Sequence, residues 1–516
     1  MTLPSRSNGL GLQCLQEGNI AMYDHSANIF GNTLSADDYH SACRSKQGFV
    51  RRFGDDTALP YPLCAEEPPV VGEALGVRNL VGAKGGTVPF DLAADAAAAG
   101  GAPIIIGNIR MGFGHYRIAM AMASAAHALG YTPYWFDLMS FDDTTCAKII
   151  ASQNKLYSLG SRISQKSKLF NKMFWDPLNS EGFKKLTYTA SDQKVSELMV
   201  RPFADLPRDT PFIGTHAWPS QAAVHAGMTR VVNAIPDNWP MALHLAEGSI
   251  HAVQTPKCYY GYRALDGFDE KRVLKPMPDD AIAYTGHYID HELVVNIPFD
   301  CARRKDRMET RGPVRYLLSV GGAGAQQDLF RSIVEHLVPY VERGEAVLFI
   351  NVGDHKAVWD GLAASVDALS QATCHFDDFA ETAAFAEAAL DGRVEGIHAF
   401  FHQDIFAAVY STNVLMRACD LLATKPSELA YYPVPKLMLK HIGGHEVWGA
   451  IRAHELGDGT AELESTPDVL REIDHIQADR DVVSRMCDAI ERNDAAGVYN
   501  GAYRVVNLAV NGTAAL

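Results

Sequence analysis

Two glycine-rich turns contain the residues that are best suited to chemistry. The first, GNIRMGFG at 107–114, follows the apolar run PIII and leads directly into His115. Glycine lets the backbone approach a bound group closely, and the N-terminus of a following helix presents free N–H groups to anions. The pattern predicts a ligand site at each turn, with Gly112 and Gly114 lining the first. The second turn, after YLLSV, supplies Gly321, Gly322 and Gly324.

His115 is the candidate for proton transfer. It precedes a segment, 116–129, whose apolar residues recur at helical spacing, so it should lie at a helix N-terminus. The positive potential there disfavours the imidazolium, so the ring stays neutral and able to accept a proton near pH 7. A capping or packed histidine is the alternative. We predict that His115 acts as a general base.

Neither turn matches a standard nucleotide motif. No GK[ST] follows, and Gly322 and Gly324 form a GxG with Asp328 where the last motif position would be sought.

The histidines and cysteines do not form a standard metal-binding motif. His441 and His445 are four residues apart, but HEVWG does not complete an HExxH motif. The nine cysteines contain no CxxC pair. We therefore expect no metal site.

The composition describes an acidic globular chain. The 516 residues carry a formal charge of −15, and 47% are hydrophobic. The net charge opposes a general role on nucleic acid, because phosphate binding needs clustered Lys and Arg. We find no run of about eighteen uncharged apolar residues and no secretory signal pattern. With an odd number of cysteines and no disulfide framework, a reducing cytoplasm is expected.

Strand and helix patterns divide the chain into two α/β halves. Apolar runs alternate with helical periodicity from residue 103 and again from Arg315, which predicts parallel sheets. Ligands bind at the carboxyl ends of such strands, so two Rossmann-like domains should face a common cleft. The predicted regions are an N-terminal extension of unknown role over 1–98, the first domain over 99–295, the second over 296–470 and a helical tail over 471–516. The tail would lie across the hinge or cap the second domain.

The chain from 103 to 460 resembles the two-domain GT-B glycosyltransferases. GNIRMGFGHYRIAMAMASAAHALGY is similar to the first strand, glycine loop, histidine and helix of the group containing undecaprenyl-linked N-acetylglucosaminyl transferase and monogalactosyldiacylglycerol synthase. Met111 and Phe113 stand where that group has glycines. LLSVGGAGA and CDLLATKPSELAYYPVPKLMLKHIGGHE resemble its donor-domain segments, with Lys425–Pro426 replacing a usual glycine.

The resemblance implies residues for a nucleotide-sugar donor. In the family a Glu at a helix start holds the ribose hydroxyls, which implies that role for Glu428, with Ser427 as its neighbour. A carboxylate suits this role because it accepts hydrogen bonds from two adjacent hydroxyls. The Gly321–Gly324 turn would lie near the diphosphate. The loop after PKLMLK would line the sugar side, which implies contacts from Gly443, Gly444, His445 and Glu446.

Two residues at strand ends of the first half extend the predicted cleft on the acceptor side. His216 follows the strand PFIGT, and Asp237 follows VVNAIP. We expect both to face the same cleft as His115. The segment VVNAIPDNWPMALHLAEGSIHAVQTP also resembles the one that ends the acceptor domain of the family.

A basic and aromatic segment interrupts the acidic chain. Residues 154–185 contain seven Lys or Arg against two acids, interleaved with Tyr157, Phe170, Phe174 and Trp175. This composition suits a surface that meets anionic lipid headgroups. The alternative is a solvated helix whose aromatics pack on their own domain. The first interpretation predicts a lipid acceptor and a peripheral location at the inner face of the membrane.

These predictions combine into an inverting, metal-independent glycosyltransferase. A nucleotide sugar, expected to be UDP-linked, would bind as co-substrate with no further cofactor. His115 would deprotonate an acceptor hydroxyl, which attacks the anomeric carbon opposite the leaving diphosphate. Backbone N–H groups and a helix dipole would stabilise that leaving group. The alternatives are a sugar-nucleotide 2-epimerase and a non-catalytic sugar-nucleotide or lipid-binding protein.

Overall fold

The computed structural model describes residues 24–67, 69–83, 90–166, 182–320 and 326–516. Three residues of the predicted donor site, Gly321, Gly322 and Gly324, lie outside the described residues. So do residues 167–181 of the basic and aromatic segment 154–185. Among the described residues, no helix is both long enough and apolar enough to span a membrane.

Two large sheets, one in each half of the chain, form the framework. The first contains β3 (Leu63–Glu66), β4 (Arg78–Gly82), β5 (Ala102–Asn108), β6 (Tyr131–Asp137), β7 (Phe212–Gly214), β8 (Val231–Ala234), β9 (Ile250–Val253) and β10 (Ile282–Tyr284). The second contains β11 (Val314–Ser319), β12 (Ala346–Asn351), β13 (Thr373–Phe376), β14 (Ile397–Phe401), β15 (Leu421–Thr424) and β16 (Lys436–Met438). A small hairpin of β1 (Asn28–Ile29) and β2 (Asn32–Thr33) precedes them.

Helices cover both sheets. Those of the first half are α1 (Ala36–Phe53), α2 (Gly72–Leu75), α3 (Leu92–Ala98), α4 (Gly114–Ala128), α5 (Thr145–Lys166), α6 (Leu186–Ser196), α7 (Ala217–His225) and α8 (Pro256–Ala264). The rest are α9 (His291–Val295), α10 (Ile297–Glu309), α11 (Gln327–Glu342), α12 (Lys356–Ser365), α13 (Phe379–Asp391), α14 (Ile405–Ala418), α15 (Val447–Leu456), α16 (Thr466–Ala478), α17 (Asp481–Ala495) and α18 (Gly501–Asn511).

The strand orders are those of open, doubly wound sheets. The first sheet runs β10-β9-β8-β7-β5-β6-β4-β3, and the second runs β13-β14-β12-β11-β15-β16. Every neighbouring pair is parallel except β3 with β4. The central strands are buried on both faces, which explains their continuous apolar sequences. The predicted class, α/β with two Rossmann-like domains facing a cleft, is confirmed.

Residues 1–98 do not form a separate extension where the structure describes them. Strand β4 pairs with β6, and β3 pairs with β4, so these residues complete one edge of the first sheet. Helix α1 packs on α6. Strands on both sides of the predicted boundary at 98 therefore share one sheet. The strands before it were not predicted, because short strands near a sheet edge lack the long apolar pattern that marked the central strands.

The C-terminal tail contacts both halves. Helices α16 and α17 contribute Val469, Ile473 and Met486 to the core of the second sheet. Helix α18 instead packs on α4, and its Val505 and Val506 join a core that includes Ile106 of β5. The last helix therefore completes the first domain from the far end of the chain.

Candidate active site

The first glycine turn brings the two halves together. Strand β5 ends at Asn108, Gly112 has φ +79°, and α4 begins at Gly114. A Cβ on Gly114 would lie 3.2 Å from Oε2 of Glu428, which belongs to the second half. The absence of a side chain at residue 114 thus lets a carboxylate approach the N-terminus of α4, where backbone N–H groups favour negative charge.

His115 has a fixed tautomer. Its Nδ1–H donates to the carbonyl oxygen of Thr215 at 2.7 Å, which leaves Nε2 as the hydrogen-bond acceptor of the ring. Burial lowers the pKa of His115, although the contact with Thr215 and the charges of Asp237 and Glu428 act in the opposite direction. The ring is therefore neutral near pH 7 and has one nitrogen suited to accepting a proton.

His216 lies against His115. The ring centroids are 4.9 Å apart with the planes at 74°. Burial, reinforced by the charges of His115 and His244, holds the pKa of His216 well below its ordinary value. Its Nδ1 accepts a hydrogen bond from the backbone N–H of Trp218, so it also caps α7. A neutral His216 adds no positive charge beside the candidate base.

Asp237 pairs with His244, which follows it by seven residues. Nε2 of His244 lies 2.9 Å from Oδ2 of Asp237, and the Asp237 side chain is 33% exposed. Burial raises the pKa of Asp237, but the hydrogen bond from His244 and the charges of His445, His244 and His115 outweigh it, so the pKa falls well below its ordinary range. The site thus contains an ionised carboxylate close to the neutral imidazole of His115.

Glu428 is held by Arg117 from α4. The Arg117 Nε lies 3.5 Å from Oε1 of Glu428, and the two side chains are 2% and 19% exposed. Arg117 also donates to the carbonyl oxygen of Val409 at 3.1 Å, to Oγ1 of Thr412 at 3.3 Å and to Asn413, all on α14. The guanidinium therefore orients Glu428 and joins α4 to the second half.

Glu446 organises the predicted sugar-side loop. Its Oε1 pairs with Lys425, and its Oε2 accepts from the backbone N–H groups of Ile442 at 2.9 Å and Gly443 at 3.2 Å. Burial opposes ionisation of Glu446, but Lys425 and these contacts hold its pKa below the ordinary value. Its carboxylate is thus engaged within the loop.

The other residues of the loop lie beside Glu446. Gly444 begins a short 3-10 helix, Gly444–Glu446. The charge of His445 contributes to the low pKa of Asp237, so the loop of the second half lies near the carboxylate of the first. Ser427 immediately precedes the 3-10 helix that starts at Glu428.

Two further contacts join the first glycine turn to the second half of the chain. Arg110 pairs with Asp354 at 3.0 Å. The Phe113 ring lies 5.7 Å from that of His355, with 23° between the planes. Asp354 and His355 follow β12 of the second sheet. Phe113 stands where the resembled family has a glycine, and its side chain packs between the two halves.

The arrangement unites strand ends of both sheets around two chemical functions. His115 can accept a proton, and Glu428 can accept hydrogen bonds from vicinal hydroxyls. Within the described ranges, no group of three or more His, Cys, Asp or Glu is arranged to hold a metal ion.

The sequence analysis did not predict three residues that contribute to the site, Thr215, His244 and Arg117. Only Arg117 left a signal, two residues after His115 on the same predicted helix.

Family models match both halves of the chain. One described as domain of unknown function (DUF6937) matches residues 28–264, and one described as domain of unknown function (DUF6938) matches residues 277–510. No curated protein matches the chain. The first match begins well before residue 98, in agreement with the position of β3 and β4 in the first sheet.

Solved structures with distant similarity include a synthase and an epimerase that act on sugars. α,α-Trehalose 6-phosphate synthase from Burkholderia multivorans has 10% identity and a TM-score of 0.43, over 80% of this chain and 98% of that one. The UDP-GlcNAc 2-epimerase from Neisseria meningitidis, bound to UDP-GlcNAc, has 12% identity and a TM-score of 0.39, over 79% and 97%.

Proposed function

We propose that the protein is an inverting glycosyltransferase that uses a nucleotide sugar, with a UDP-linked donor as the first expectation. The observation that carries the proposal is His115, a neutral imidazole at the N-terminus of α4 whose Nδ1–H is committed to Thr215. Its Nε2 accepts the proton of an acceptor hydroxyl as the oxygen forms a bond to the anomeric carbon. The bond to the departing diphosphate breaks on the opposite face, which inverts that carbon.

The donor is assigned to the second half. Glu428, steadied by Arg117, accepts hydrogen bonds from the ribose hydroxyls. The turn that contains Gly321, Gly322 and Gly324 is proposed for the diphosphate, with Ser427, Gly443, Gly444, His445 and Glu446 around the sugar. Gly112, Gly114, His216 and Asp237 are proposed for the acceptor side. A lipid acceptor and a cytoplasmic or peripheral membrane location remain predictions from the sequence.

Release of nucleoside diphosphate from a panel of nucleotide sugars, with and without lipid extract, tests the proposal. We expect one donor to give acceptor-dependent release that His115→Ala abolishes while calorimetric binding of UDP persists. His127→Ala is the matched control, because His127 is an exposed histidine near the other end of the same helix. Donor binding without turnover, or turnover that is indifferent to His115→Ala, would contradict the mechanism.

A second candidate, a sugar-nucleotide 2-epimerase, is favoured by one observation. The site gathers His115, His216, Asp237 with its partner His244, and Glu428, which is more acid and base capacity than a single displacement requires. An epimerase would convert the donor to its epimer without any acceptor and would incorporate solvent deuterium at the inverted carbon. The two reactions are distinguished by incubating the protein and a nucleotide sugar in heavy water without acceptor and recording NMR spectra. An epimerase would give the deuterated epimer, whereas a glycosyltransferase would not.

A further inference from the structure

A cavity lies next to the candidate active site but contains none of its residues. Its volume is about 450 Å³, within the range of small-molecule sites. Trp239, which lines it, comes two residues after Asp237, so one short segment serves both the site and the cavity. The remaining wall includes Lys184, Lys257, Tyr260 and Asp266.

Two lysines of this wall are held by aromatic rings. The Nζ of Lys184 lies 5.2 Å from the centre of the Trp239 ring, and that of Lys257 lies 5.0 Å from it. Lys257 also lies 3.6 Å from the ring centre of Trp448. Within the described part of the chain, neither ammonium has a carboxylate at ion-pair distance. Cation–π contacts orient an ammonium without neutralising it, so both charges remain available to a ligand.

The surroundings of the cavity favour an anion. The chain carries a formal charge of −15, yet two ammonium groups and one carboxylate, the exposed Asp266, line this wall. The indole N–H of Trp239 is buried and makes no hydrogen bond within the described residues. Tyr260 is 70% exposed and adds a hydroxyl and a ring face. Lysine binds phosphate as a point charge, and the neutral donors suit its remaining oxygens.

The cavity is coupled to the second half of the chain. Trp448, at the start of α15, stacks on Trp239 with ring centres 5.6 Å apart, and its carbonyl oxygen accepts from Nδ2 of Asn238 at 3.0 Å. The Lys257 ammonium lies against both rings, so an anion that binds to Lys257 binds where Trp239 of the first half meets Trp448 of the second.

We propose that this cavity binds the phosphate group of a small phosphorylated ligand. If the proposed function holds, that ligand is the acceptor, and the phosphate positions its hydroxyl near His115. The phosphate belongs either to a soluble sugar phosphate or to a lipid headgroup, and the shared chemistry is a phosphate ester beside hydroxyl groups.

Titration calorimetry with glucose 6-phosphate, inorganic phosphate and glucose tests the proposal, alongside sedimentation with vesicles that contain phosphatidic acid. The variant is Lys184→Met with Lys257→Met, which keeps both alkyl stems on the tryptophans and removes only the charges. Lys185→Met is the matched control, because Lys185 is exposed and pairs with Glu270 at 3.0 Å. Circular dichroism and thermal unfolding verify that each variant is folded.

We expect glucose 6-phosphate to bind, glucose not to bind, and the double variant to weaken binding about tenfold or more per lysine. Lys185→Met should bind as the unmodified chain does. Vesicle binding that the double variant loses, with no binding of soluble phosphates, assigns the phosphate to a lipid headgroup and supports the proposal. Equal binding by the double variant, or no binding of any phosphate probe, overturns it.

The same preparations distinguish this proposal from the proposed function. Calorimetry with UDP reports the donor site, which contains neither lysine. If the unmodified chain binds glucose 6-phosphate but neither binds UDP nor releases a nucleoside diphosphate, the result counts against the proposed glycosyltransferase and not against the cavity. Intact UDP binding with no phosphate binding would count against the cavity alone.

Discussion

Among single residues, ionisation depends on neighbours that only the fold supplies. The sequence predicted a neutral His115 from its position at a helix N-terminus, and that position is where α4 begins. The hydrogen bond to Thr215, which fixes the tautomer, joins residues 100 positions apart and leaves no local signal. Arg117 lies two residues after His115, but its pairing with Glu428 joins residues more than 300 positions apart and depends on how the two halves pack. His244 is only seven residues from Asp237, and the sequence pattern gave no reason to pair them.

The first prediction concerns the pH dependence of turnover and rests on the proposed function. A general base must be deprotonated, and burial lowers the pKa of His115 from its ordinary value of 6.5. The acid limb of the kcat/KM profile should therefore lie below pH 6.5, and His115→Ala should remove it. Rates measured between pH 4.5 and 8 give the answer, and an acid limb centred above 6.5 would contradict the assignment.

The second prediction concerns Asp192, a buried carboxyl on α6. Burial raises its pKa from 3.8 to about 7, against a hydrogen bond from Trp218, and its Oδ2 has no hydrogen-bond partner within the described residues. The folded state therefore binds the proton more tightly than the unfolded chain, so this group costs stability as pH rises from about 4 to 7 and costs most above 7.

Asp192→Asn should accordingly raise the free energy of unfolding by on the order of 2–4 kcal/mol at pH 8 and by little near pH 4. Urea denaturation at both pH values measures the difference. Asp205→Asn, at an exposed position of the same half, is the control. A gain that does not depend on pH would show that Asp192 is not protonated in the folded protein near neutrality.

At the level of secondary structure elements, periodic patterns located the central strands and α4 but not the edges of the first sheet. The helix predicted over 116–129 from its apolar stripe is observed at Gly114–Ala128, so the predicted and observed bounds nearly agree. Strands β3 and β4 were missed because an edge strand needs no continuous apolar run. The path of the C-terminal helices was left open between hinge and cap, since an apolar stripe reports that a face is buried and not what buries it.

The third prediction belongs to α18. Leu508 is 5% exposed in the core that this helix shares with α4 and β5. Leu508→Ala should lower the free energy of unfolding by about 2–4 kcal/mol, because it leaves a cavity in that core. Val510→Ala, at a partly buried position of the same helix, should cost less. Equal costs would indicate that α18 is not packed as described.

For the whole molecule, the two halves share one core. Val409 and Tyr410 of α14 pack in the same cluster as Ile106 and Val505, so residues of both halves bury one another. Arg117 adds donor contacts from α4 to α14 at the same interface. A shared core of this kind links the unfolding of the halves, in contrast to domains joined only by a linker.

The fourth prediction follows from this linkage. The chain should unfold in one calorimetric transition, whereas Arg117→Met should lower the melting temperature and broaden or split the transition. The variant leaves Glu428 without its cation and Oδ1 of Asn413 without its donor, and removing one partner of a buried pair costs about 3–5 kcal/mol. Arg230→Met, an exposed arginine of the first half, is the control. A single unshifted transition in Arg117→Met would contradict a role for Arg117 in joining the halves.

The return of α18 to the first sheet also has a consequence for biosynthesis. The nascent chain completes β5 long before α18, the helix that covers this part of the sheet, is synthesised. At about 5–20 residues per second, the intervening stretch of roughly 400 residues takes roughly 20–80 s to translate. Through that interval Ile106 and its neighbours lack contacts that they make in the folded protein, so we expect the unfinished first sheet to expose apolar surface that chaperones can bind.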